Sequence, residues 1–406
     1  MLICVFTGFS SGLPLYLLLN LLPAWLRSEG VDLKTIGFFA LIQFPYTWKF
    51  LWAPLLDRYR LPLGRRRGWM LLSQIGLLIS IGLLGGFSPA SQLTPVIGLA
   101  VLLAFLSATQ DVALDAFRRE ILDDNELGLG NSVHVNAYRI AGLVPGSLSL
   151  ILADLLPWGQ VFWITAAFML PGMLMVLLVG EPVVGGTPKT LRQAVVEPFH
   201  EFIGRQGVDG ALLILGFIFL YKLGDSLATA LATPFYLDLG FSKTDLGLIA
   251  KHAGLWPAVF GGLLGGLWMV KLGINRALWL FGAVQALTIL GFAWLAWRGV
   301  PTPVGLEDRV ALAAVIGAEC LGVGLGTAAF VAFIARATHP AFTATQFALF
   351  TSLAAVPRTF INASAGALVQ ALGWVNFFVL CFVLALPGML LLLKVAPWND
   401  RPTSTG

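Results

Sequence analysis

Charge is scarce in this chain. Only 11% of its 406 residues are Asp, Glu, Lys or Arg, where a soluble domain carries about 25%. That deficit excludes an ordinary water-soluble fold. Cysteine is rarer still, with 3 residues. Cys4, Cys320 and Cys381 lie far apart in apolar runs, a spacing that fits neither a metal site nor a disulfide framework. They read as small buried hydrophobes, and neither metal nor cofactor is expected. A cleavable signal peptide is not evident either. Met1-Leu2-Ile3-Cys4-Val5-Phe6 is already apolar and has no basic segment before it, so the start reads as trimmed or as assigned too far downstream. The net charge of +4 comes from basic residues scattered through short loops. It reports membrane topology rather than a nucleic-acid partner.

Apolar sequence is what remains, at 58% hydrophobic with a mean hydropathy of +0.85. Spanning a bilayer takes about 20 apolar residues per helix. Twelve stretches qualify, at about 2–26, 35–56, 69–87, 93–117, 133–156, 160–179, 211–235, 245–270, 275–297, 310–334, 341–370 and 375–394. Of the 25 Lys and Arg residues, with Arg276 and Lys394 at span edges counted with the adjoining cytoplasmic segments, 15 fall in connections after even-numbered spans or in the C-terminal tail, 5 in connections after odd-numbered spans and 5 inside spans. This bias puts both termini in the cytoplasm. The longest connection, 181–210, contains the amphipathic stretch Leu191–His200. It reads as a cytoplasmic surface helix joining an N-terminal six-helix bundle (1–180) to a C-terminal one (211–406).

An internal repeat supports the two halves. Pro23-Ala24-Trp25-Leu26, Gly30 and Ile36-Gly37 are echoed by Pro234-Phe235-Tyr236-Leu237, Gly240 and Leu246-Gly247. Arg139, Gly146 and Trp158 are echoed by Arg358, Gly366 and Trp374. Two parallel six-helix repeats are the layout of the major facilitator superfamily, an all-α membrane fold that works by alternating access. The loop Asp57-Arg58 to Gly64-Arg65-Arg66-Arg67 resembles that superfamily's signature loop, with about three residues inserted. Asp57 suits the N-terminus of another helix, and the arginines suit carboxylates at helix ends. Glu120, Asp123 and Asp124 are the candidate partners. Asp57, Arg58, Arg65, Arg66 and Asp115 are therefore expected to be structural and conformational charges.

Charged residues inside the spans include Lys49, Asp111, Asp115, Arg139, Lys222, Asp225, Lys251, Glu319 and Arg358. A charge facing lipid at mid-membrane costs roughly 3 kcal/mol, so nine would cost about 27 kcal/mol, more than a domain's whole stability. These groups must face each other or a wet cavity. Counted from the span ends, Lys49, Asp111 and Arg139 lie at a similar depth, roughly 10 Å in, and could form one cluster, with Gln110 beside it. Lys222 and Asp225 share a helix face, and Glu319 sits in the outer half of its span. Basic groups in a low-dielectric cavity attract anionic cargo, and a buried carboxyl can carry a coupling proton. Lys49, Gln110, Tyr138, Arg139 and Lys222 are therefore the expected cargo contacts. Asp111, Asp225 and Glu319 are the expected proton carriers. His134 and His252 read as packing histidines.

Several long strings resemble the muropeptide permeases, the AmpG family. They are Gly8-Phe9-Ser10-Ser11-Gly12-Leu13-Pro14-Leu15, Asp32–Gly37, Lys49–Arg58, Gly64–Trp69, Ser107–Asp111 with Asp115-Ala116, Tyr138-Arg139 and Tyr221–Asp225. The likeness is dense to about residue 250. It implies a bacterial inner-membrane importer that brings anhydromuropeptides into the cytoplasm, driven by protons, without enzymatic activity. A monomer is expected. Longer family members add C-terminal spans. Permeases sharing the core carry other cargo, including siderophores and, more distantly, acetyl-CoA. Two other readings compete. Asp111-x-x-x-Asp115 could hold Mg²⁺ in a membrane transferase, and a sensor could bind cargo without moving it.

Overall fold

A computed structural model describes the chain apart from residues 32–41, 43, 182–189, 242–244, 246–248, 250, 302, 357–360, 362–363 and 400–406. Arg358 and the Asp32–Gly37 string lie outside the described residues. The described residues are helical, and their only β-type pairing is the isolated bridge Leu61–Gly64.

Nine described helical runs are long and apolar enough to cross a membrane. They cover ten of the twelve expected spans, because spans 8 and 9 share one run. The run His252–Arg298 contains Gly273 at φ +74° and ψ +164°, a left-handed conformation open to glycine but costly for other residues. Spans 8 and 9 meet there. Gly373 plays the same part between spans 11 and 12 (φ +73°), and Gly207 between the linker helix and span 7 (φ +71°). Span 2 is described from residue 42 with a gap at 43, and span 11 through Pro340–Val356.

Prolines shape two spans. After Pro14 the first span winds as a π-helix over Leu17–Leu21, and Pro145 opens the π-helical Val144–Leu148 in span 5. Such widened turns accommodate backbone groups that proline leaves unpaired.

The chain clusters into two compact units. The first comprises Met1–Asp123, Val133–His200 and Thr338–Ser352. Its spans 1 and 5 touch backbone to backbone. A Cβ on Gly8 would fall 2.9 Å from Ala137 Cβ, and one on Gly12 would fall 2.9 Å from the Tyr138 carbonyl carbon. One apolar cluster packs Trp25 on Trp158 and Phe162, with ring centroids 6.3 and 4.9 Å away. A second gathers Leu56, Met70, Val112, Phe117, Val176 and Ala348.

The second unit comprises Asp124–Ser132, Glu201–Ala337 and Leu353–Gly406. Its core is aromatic, with Phe235 against Trp374 (5.0 Å) and Phe378 (4.8 Å). The repeat is thus visible in packing: in each unit the end of the first span of the half rests on the tryptophan that opens the sixth, Trp158 or Trp374.

Candidate functional site

The charges of the first unit form two groups. In the first, Lys49 stands at a break in span 2, where Trp48 leaves helical geometry (φ −103°, ψ 6°) and Lys49–Leu51 tighten into a 3₁₀ turn. Lys49 Nζ lies 3.8 Å from Asp115 Oδ2. Asp115 also receives Arg118 Nη2 at 2.9 Å, and Arg118 lies over the Phe347 ring at 5.8 Å. The acid within ion-pair distance of Lys49 is therefore Asp115, while Lys49 also acts electrostatically on Asp111. Asp111 accepts a 2.6 Å hydrogen bond from Ser11 Oγ of span 1. The two aspartates are one helical turn apart, so depth alone does not tell them apart.

Gln110 is fully buried, and its Nε2 donates to Ser10 O at 2.8 Å. It ties span 4 to span 1 in this structure. Tyr138 packs on Tyr16 with ring centroids 5.5 Å apart, and the next residue, Arg139, is half-buried. His134 Nδ1 shares a 3.0 Å hydrogen bond with Thr7 Oγ1, a packing contact, whereas His252 is exposed.

The second group is built on the loop between spans 2 and 3. Arg66 is completely buried and bridges Asp57 (2.7 Å) and Glu120 (2.6 Å). Arg65 adds a 2.9 Å pair to Glu120. Burial opposes the Arg66 charge, but Glu120 and Asp57 more than offset it, so its pKa is raised. Asp57 Oδ2 accepts from Thr345 N at 2.9 Å and Thr345 Oγ1 at 2.6 Å, at the start of the helix Thr343–Val356. Asp57 thus caps a helix to which it is not covalently continuous. Arg58 lies outside the network, over the Tyr59 ring at 5.6 Å. Asp123 is exposed.

Sequence reasoning missed Glu181 here. It receives Arg66 N at 2.8 Å and Arg67 N at 3.1 Å, while the Arg67 guanidinium donates to Val176 O and Leu177 O. Among the described residues, the second unit repeats this fastening through backbone carbonyls. There Arg276 and Trp279 donate to the carbonyls of Trp398 and Ala396.

In the second unit, span 7 breaks at Lys222 (φ −100°, ψ 3°), so Asp225 falls in the first turn of the helix Leu223–Ala230. Lys222 Nζ lies 3.6 Å from Asp225 Oδ2 and 3.0 Å from Thr327 Oγ1. Glu319, almost fully buried on span 10, accepts a 3.4 Å bond from Cys320 Sγ and has its carboxyl within hydrogen-bonding reach of Asp225. The side chain of Lys251 is outside the described set. Each unit thus joins its half's first and fourth spans through a carboxyl group: Ser11 to Asp111, and Asp225 to Glu319.

The profile of the Major Facilitator Superfamily matches residues 4–361. Over 397 residues the chain is 42% identical to the anhydromuropeptide permease of Escherichia coli K12, covering 96% of this chain and 78% of that one. The chain belongs to the AmpG-type permeases of the major facilitator superfamily. It is also 53% identical to an uncharacterized protein of Haemophilus influenzae, over 100% of this chain and 96% of that one. In fold it resembles the proton:xylose symporter XylE (TM-score 0.72, 12% identity, 98% of this chain and 95% of that one). It also resembles FucP in the outward conformation (TM-score 0.71, 11% identity, 96% and 97%). The molecule is a multi-pass membrane transporter and not an enzyme. This disposes of the transferase reading, and Asp115 is engaged by Arg118 and Lys49 rather than left for a metal.

Proposed function

We propose that this permease is a proton-coupled importer of anhydromuropeptides, working by alternating access in the bacterial inner membrane with both termini in the cytoplasm. The observation that carries this reading is the 42% identity, over almost the whole chain, to a protein named for that cargo. The charged groups support it chemically. Muropeptides combine sugar rings with peptide carboxylates. Lys49, which is buried, and Arg139 and Lys222, which are half-buried, offer cations to carboxylates in surroundings where attraction exceeds its value in water. The exposed edge of the Tyr16–Tyr138 pair offers a ring on which a sugar can stack. Asp111, Asp225 and Glu319 supply the carboxyl groups that coupling needs.

The test is uptake into proteoliposomes of a labelled anhydromuropeptide in competition with an unlabelled siderophore and with acetyl-CoA. Competition by unlabelled muropeptide alone is the expected result. Uptake of one of the other compounds, with no muropeptide uptake, overturns the assignment of cargo. Binding without counterflow favours a sensor instead.

A further inference from the structure

Three groups of the second unit, Glu319 buried and Lys222 and Asp225 half-buried, form one electrostatic unit. Lys222 Nζ is 3.6 Å from Asp225, and Asp225 is within hydrogen-bonding reach of Glu319. Glu319 is 3% exposed, and both Glu319 Oε1 and Asp225 Oδ1 are buried without a hydrogen-bond donor. Two ionised carboxylates in such contact repel, and one is favoured to hold a proton. One cation, one carboxylate and one protonated carboxyl sum to zero, which is the charge a buried cluster tolerates. The titratable side chains facing the pair leave that balance unchanged. Tyr221 faces Asp225 and donates its hydroxyl to Leu278 O at 2.9 Å. Tyr236 and Cys320 face Glu319. Span 9 contributes the neutral Gln285, and span 12 contributes Ala385 and Met389.

A second observation points to a proton path. Asp225, Tyr221 and Gln285 line a cavity of about 10 Å³, roughly the size of one water molecule. Gln285 is 4% exposed, and its Nε2 has no acceptor. A water there would accept from Gln285 and donate to Asp225.

We propose that Asp225 and Glu319 act as one acid that binds a single coupling proton, with Lys222 as its counter-charge and the Gln285 cavity as its water-filled entrance. This rests on the proton-coupled reading above and names the seat of the coupling ion. Loading forms one O–H bond on a carboxyl oxygen, hydrogen-bonded to the other carboxyl. Unloading breaks that bond, passes the proton to water and leaves the cluster with a net charge of −1.

The experiment pairs transport with infrared spectroscopy on the full chain in proteoliposomes. With the membrane potential clamped at zero, one proton per cargo sustains at most about tenfold accumulation per pH unit. Asp225→Asn and Glu319→Gln are each expected to lose this accumulation, with exchange of labelled for unlabelled cargo still measurable. In the infrared, wild type is expected to show a protonated-carboxyl C=O band that disappears in both single variants, because the remaining acid then ionises beside Lys222. Wild-type accumulation in either variant, or a band lost in only one of them, overturns the shared site. If wild type takes up cargo without responding to the pH gradient, the proton-coupled reading fails, and the band then decides the pair by itself.

Discussion

Asp57 Oδ2 accepts the backbone N–H of Thr345 at 2.9 Å, across 288 residues of sequence. The other carboxylate oxygen pairs with Arg66 at 2.7 Å. One side chain therefore holds both the N-terminus of a helix and the arginine that fixes the loop between spans 2 and 3. Removing one partner from a buried ion pair typically costs about 3–5 kcal/mol, and Arg66 would be left facing Glu120 alone. Asp57→Asn is expected to lower thermal stability in detergent substantially, and Arg66→Ala to do so more. Thr345→Val, which keeps the backbone N–H, is expected to cost only about 1 kcal/mol. Thermal unfolding of the three purified variants checks that order.

Close packing of spans 1 and 5 makes a second prediction. Gly8→Ala and Gly12→Ala drive a methyl group into the backbone of span 5 at His134 and Tyr138. Overpacking of this kind costs about 1–3 kcal/mol. Gly98→Ala is the control, because nothing lies within 4 Å of its added Cβ. It is expected to be neutral or slightly stabilising, by up to about 1 kcal/mol. Equal stability of all three variants would refute the contact.

Lys49 separates cargo binding from packing. Its partner Asp115 keeps Arg118 at 2.9 Å when the lysine is removed. Lys49→Ala is therefore expected to leave the unfolding temperature nearly unchanged while raising the KM for anionic cargo about tenfold, equivalent to roughly 1.4 kcal/mol. A large fall in stability with an unchanged KM would make Lys49 a structural residue.

The boundary between spans 8 and 9 rests on one glycine. Gly273 has φ +74° with nothing within 4 Å of an added Cβ, so its substitution meets a backbone penalty rather than a clash. Gly273→Ala is expected to cost about 1–2 kcal/mol, read as a lower melting temperature. No change would mean that the turn rearranges freely.

Much of this was legible in the sequence, for reasons particular to each residue. The twelve spans follow from apolar run length, and the roles of Asp57, Arg65, Arg66 and Glu120 follow from opposite charges at helix ends. The ion pair of Lys49 with Asp115 was not legible, because depth along a span says nothing about rotation around it. Glu319 is the only acid in its span, and its neighbour Asp225 belongs to span 7, a relationship that only helix packing reveals. Ser11, Thr345 and Thr327 carried no signal, because hydroxyl residues are too common in spans to mark a partner. Glu181 was a lone acid after span 6, and its position against the backbone of span 3 could be suspected only from the neighbouring Arg67.

The most direct measurement is uptake of labelled anhydromuropeptide by the wild-type protein in proteoliposomes, with and without an imposed pH gradient, acid on the side that is periplasmic in the cell. The buried charges predict accumulation above the external concentration that collapses when a protonophore dissipates the gradient. Equilibration to the same level with and without the gradient, or no uptake at all, would contradict this account.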